Sequence, residues 1–115
     1  MELIPLKVWN RIDMLKQPIA ARVDTSDKDT SRWVSIHYSY NDYRTLPPHV
    51  YYVADTIFSS ELLARYAPDG DEDLTIMSKT EHYVQNIDEL YALLSGLGIA
   101  PHLFNAPWHV GHPLL

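Results

Sequence analysis

At 115 residues the chain has the length of one domain with a single main core. Its hydrophobic and charged shares are those of a folded globular protein, and the absence of cysteine rules out disulfide scaffolds, cysteine-ligated metal sites and thiol chemistry. The net charge of −6 repels nucleic-acid phosphate, so direct nucleic-acid binding is not expected.

The first segment, residues 3–17, carries two periodicities. Leu6, Val8, Ile12 and Met14 alternate with polar neighbours as in a strand, whereas Ile4, Val8, Ile12 and Leu15 share one helical face with Pro5 at its first turn. The alternation favours a strand here. Ile19-Ala20-Ala21-Arg22-Val23 and Trp33 to Tyr40 also alternate, and the all-polar Asp24–Ser31 stretch between them predicts an antiparallel hairpin with a long loop. Pro47-Pro48 marks an irregular connection, and Val50–Phe58, rich in β-branched and aromatic residues, is a further strand.

Ser59 or Ser60 starts a short helix through Tyr66, stopped by Pro68 and Asp69-Gly70. Leu74–Ser78, extending toward Val84, reads as a strand. Asn86 with Glu89 opens a helix bearing Ile87, Leu90, Tyr91, Leu94 and Leu97, which Gly96 or Gly98 ends. The expected fold is a single α+β domain over residues 1–115. It has a mainly antiparallel sheet of about four to five strands, about two helices on one face and an irregular C-terminal segment.

That segment is the most unusual part of the chain. From Leu90 to Leu115 there is no Lys, Arg, Asp or Glu. Gly, Pro, Asn and His interrupt it too often for a membrane span, and Met1–Pro5 lacks the basic and apolar regions of a signal peptide. A soluble cytoplasmic protein is expected, with no membrane role. The segment should therefore dock, through Trp108 as anchor, on its own sheet, on the last helix or on a second copy of the chain.

Three patterns invite chemistry. His102, His109 and His112 could supply metal-binding nitrogens, but no carboxylate follows Glu89, and the reading as a packed loop with solvent-facing histidines is preferred. Asp69-Gly70-Asp71-Glu72-Asp73 fails the calcium-loop pattern, because glycine stands second and Thr80 occupies the twelfth place. No nucleophile elbow, phosphate-binding glycine loop or His-Glu-x-x-His run is present, and His37 with Arg44 and His49 gives only a weak acid–base grouping. No catalytic residue, metal or cofactor is expected.

What remains is contact surface. Residues 1–58 hold seven basic and seven acidic side chains, while 59–115 hold two basic and eight acidic. Asp69, Asp71, Glu72 and Asp73, with Asp42, could draw in a basic partner. Tyr38 and Tyr40 read as core; Tyr43 and Tyr51 or Tyr52, with Trp108, read as aromatic contacts to a partner. The leading expectation is a small binding protein that neutralises a basic partner, such as an immunity protein for a toxic nuclease or an inhibitor of a nucleic-acid enzyme. The alternatives are an oligomeric accessory domain, a homodimer through the neutral segment, and a small histidine-dependent enzyme.

Overall fold

The computed structural model describes residues 3–38, 50–66, 75–113 and 115. Helix α1 (Leu6–Asp13) leads into strands β1 (Ile19–Val23), β2 (Thr30–Tyr38) and β3 (Tyr51–Ser59). Helix α2 (Ser60–Tyr66), strand β4 (Ile76–Val84) and helix α3 (Ile87–Gly96) follow, and the C-terminal segment carries two single 3-10 turns, Pro101–Leu103 and Pro107–His109. The strands form one antiparallel meander in the order β1-β2-β3-β4. The fold is α+β, as expected, with three α-helices among the described residues.

The strand expected near residues 3–17 is a helix. Four-residue spacing prevails over alternation because Ile4, Val8 and Ile12 pack into the core, whereas Leu6 and Met14, which a strand would have turned inward, are exposed. The Pro5 carbonyl accepts the first helical bonds from the Val8 and Trp9 amides, both 2.9 Å. Lys16, in the left-handed region at φ 56°, turns the chain away after Asp13 and leaves Leu15 in solvent.

Register fixes the two faces of the sheet. Ile36 lies opposite both Ile19 and Val53, and Tyr51 opposite Val84; these side chains share one face with Ile4 and Ile12 from the α1 side and with Leu90 and Leu94 of α3. Burying side chains of this kind is worth roughly 1.5–3 kcal/mol each. The α3 ends are built as the sequence predicts. The Asn86 side chain accepts the Glu89 amide at 2.9 Å, while the Glu89 carboxylate accepts the Gln85 amide at 2.6 Å. Gly98 at φ 72° closes a Schellman turn: its amide donates to Ser95 and the Ile99 amide to Leu94, joining two core residues across the cap.

The neutral C-terminal segment straps the sheet from one face to the other. Ile99 and Phe104 enter the helix-side core. Asn105 and Ala20 then exchange two backbone bonds of 2.9 Å, which pairs the outer edge of β1 at that one residue. Farther on, the Trp33 indole donates to the Val110 carbonyl at 2.8 Å, and His112 packs against Trp33 and Phe58 on the opposite face. A chain without charges in this region is what lets it lie on apolar surface at both faces. The expected docking is present within the chain, but the buried anchor is Phe104, 1% exposed, and Trp108 is 65% exposed.

Candidate binding groove

A groove of about 530 Å³ runs between α1 and the strap. Helix spacing sets Lys7 and Arg11 one turn apart on its α1 wall, and Val8 lies between them. The other wall is held by the strap. Phe104 is sunk in the core, Asn105 is fixed by its exchange with Ala20, and its side-chain oxygen accepts the Ala106 amide at 2.8 Å. Buried Pro107 starts a tight turn in which the Ala106 carbonyl accepts from the His109 amide, 2.9 Å. Trp108 is carried outward on this braced turn, with His102 and His109 beside it.

Arg11 and Trp108 join the two walls: the guanidinium carbon lies 4.5 Å from the ring centre. The Arg11 Nε is buried and donates to no acceptor. Among the described residues no carboxylate lines the groove, and Lys7 and Arg11 are its charged side chains. Such a surface accepts an apolar or aromatic group along Trp108 and a carboxylate or carbonyl oxygen at Arg11.

The opposite face holds a smaller, mostly apolar cavity of about 120 Å³, lined by Ala54, Ile76 and Leu115 with Ser35, His37, Tyr52, Lys79 and the strap residue His112 at its polar points. Ser35 Oγ and His37 Nε2 are 2.8 Å apart. Burial, with Lys79 adding, lowers the His37 pKa; burial, with His37 adding, pulls His112 down to about 4. Burial and the neighbouring Glu81 raise the Tyr52 hydroxyl. Both imidazoles are thus neutral at physiological pH. The space is well below the roughly 300 Å³ at which ligand pockets begin. At the far end of the helix-covered face, Arg32 grips Asp55 through two bonds of 2.8 and 2.6 Å beside a polar hollow.

The sequence-derived contact residues part company here. Asp42, Tyr43, Asp69, Asp71, Glu72 and Asp73 lie outside the described residues. Tyr51, expected at the surface, is instead 8% exposed, 5.5 Å from Trp9 of α1 and edge-on to Tyr38. Trp108 is at the surface. The three histidines do not converge, since His102 and His109 line the groove whereas His112 lines the cavity on the other face. Among the described residues no cluster of three or more metal-ligating side chains forms. Sequence reasoning missed Lys7 and Arg11, because only the helical reading of residues 3–17 sets them side by side. Comparison with family models, curated proteins and solved structures gives no match.

Proposed function

We propose that this chain is a small non-catalytic binding protein whose contact surface is built on Trp108 and Arg11. One observation carries the reading: an exposed tryptophan on a braced turn, stacked with an arginine whose Nε has no acceptor, at the rim of a groove. Tryptophan and arginine are the residue types that most often dominate binding energy. Trp108 is held in place before any partner arrives, which lowers the ordering cost of association. An oligomeric role for the neutral segment has less support, because its Ile99, Phe104, Ala106 and Pro107 side chains are already buried within the chain.

Within this class, the more specific reading is a neutraliser of a basic protein: an immunity protein for a toxic nuclease, or an inhibitor of a nucleic-acid enzyme, acting in the cytoplasm. Its support is charge. The excess of eight acidic over two basic residues in 59–115 attracts a basic surface at long range, while the groove gives Trp108 and Arg11 a short-range role. Asp42, Tyr43, Asp69, Asp71, Glu72 and Asp73 belong to this proposal on sequence grounds alone. No described helix is long and apolar enough to cross a membrane.

The test is capture from the native cell with three baits: the unaltered chain, Trp108→Ala, and a variant with Asp69, Asp71, Glu72 and Asp73 changed to Asn or Gln. The expected result is one stoichiometric basic protein. Its affinity falls about tenfold or more with Trp108→Ala, and its association slows, most at low salt, with the neutralised variant. A partner indifferent to Trp108→Ala overturns the surface assignment, and one indifferent to the charge changes overturns the neutraliser.

A further inference from the structure

The two edges of the sheet are treated differently. The strap pairs with β1 at Ala20, but among the described residues no segment pairs with the outer edge of β4. Met77 through Glu81 are all exposed, and the nine-residue strand contains no proline or glycine. Around Thr80, the outward backbone donors and acceptors of such an edge are a template for a further strand. Charged residues on an edge ordinarily discourage pairing with other strands. Here Lys79 and Glu81 sit two positions apart on one face, their charged groups 3.4 Å from each other, and both are only half exposed.

We propose that β4 pairs antiparallel with β4 of a second copy of this chain, with Thr80 on the two-fold axis. The sequence of the strand carries the argument. Reversing it about Thr80 sets Lys79 opposite Glu81 of the second copy and Glu81 opposite the second copy's Lys79. Residues directly opposite in an antiparallel pair share a face, so two oppositely charged pairs form side by side. Ser78 falls opposite His82, and Met77 opposite Tyr83. Shifting the register by one residue sets Thr80 opposite Glu81 and Lys79 opposite His82, so neither opposite-charge pair forms. The edge is closed to foreign strands by its charges and open to its own reverse. The product is one continuous eight-stranded sheet with both strapped edges outermost.

Sedimentation equilibrium across protein concentration, with circular dichroism to check folding, tests the pairing. Lys79→Glu gives a strand with two acidic residues at these positions, and Glu81→Lys gives one with two lysines. Each variant alone should raise the dimer dissociation constant about tenfold or more, whereas their equimolar mixture should return to within about threefold of the original. A second measurement uses the absence of cysteine. Thr80→Cys places the introduced thiols opposite each other, at a separation a disulfide can span, and should crosslink on mild oxidation faster than Ser78→Cys. A chain that stays monomeric at every accessible concentration overturns the proposal. So does a dimer unaffected by the charge changes, or crosslinking no faster at 80 than at 78.

Discussion

The guanidinium carbon of Arg11 lies 4.5 Å from the centre of the Trp108 ring, joining the first helix to the last turn of a chain whose ends are otherwise far apart in sequence. The contact is at the surface, where such a pair is worth about 0.5–1 kcal/mol. Phe104, four residues earlier, is sealed in the core. The two aromatic residues of the strap therefore have separable roles. Trp108→Ala should cost no more than about 1 kcal/mol in urea unfolding, while Phe104→Ala should cost about 3–5 kcal/mol. Equal losses would show that Trp108 contributes to the fold rather than to a contact surface.

Much of the architecture was legible in the sequence because the signals were local. The β1–β2 hairpin follows from alternation on both sides of a polar stretch, and the α3 start follows from Asn86 and Glu89; the sequence offers Gly96 or Gly98 as its end, and the positive φ falls at Gly98. Residues 3–17 were misread because apolar residues satisfied two periods at once, and only packing shows that Leu6 and Met14 are the ones left outside. The strap's anchor was misassigned for a related reason. Trp108 is the larger side chain, but the backbone exchange of Asn105 with Ala20 decides which neighbour points inward, and that is a long-range pairing no local pattern encodes. The groove depended on both corrections, since it is formed where α1 and the strap meet.

His112 makes the fold sensitive to mild acid. Its pKa is about 4 in the folded chain against an ordinary value of 6.5, because burial against Trp33 and Phe58 disfavours its charged form and His37 adds to the effect. Above pH 6.5 the imidazole is neutral in both states and contributes nothing to the pH dependence. Between 6.5 and 4 the unfolded chain binds a proton that the folded chain refuses, so stability falls as pH falls, and the loss is complete below 4. The melting temperature should drop across that window. His112→Phe should flatten the drop relative to the unaltered chain; identical pH profiles for the two would remove His112 as its source.

The Arg32–Asp55 pair crosses from β2 to β3 with two bonds, and both side chains are largely screened from water. The guanidinium pKa is raised, chiefly by its hydrogen bond to Asp55. Arg32→Ala leaves a largely buried carboxylate without its partner and should cost about 1–3 kcal/mol. Replacing both residues by leucine removes both desolvation costs along with the attraction, and should cost less than the single change. Denaturant unfolding of Arg32→Leu, Asp55→Leu and the double leucine variant measures this coupling. Purely additive losses would mean that the two residues act independently.

The strap's exchange with Ala20 predicts what truncation does. Removing residues 111–115 takes His112 off Trp33 and Phe58 but leaves the Asn105 exchange and Phe104 in place. That chain should still fold, with a lower melting temperature and increased solvent quenching of tryptophan fluorescence. Removing residues 104–115 also takes away the Phe104 anchor and opens the outer edge of β1, where Ala20 and Ala21 are fully buried. An uncovered apolar edge strand is a template for association. The longer deletion should therefore aggregate in a concentration-dependent way, which light scattering during expression and purification would detect. If it remains soluble and melts like the shorter deletion, the strap does not protect that edge.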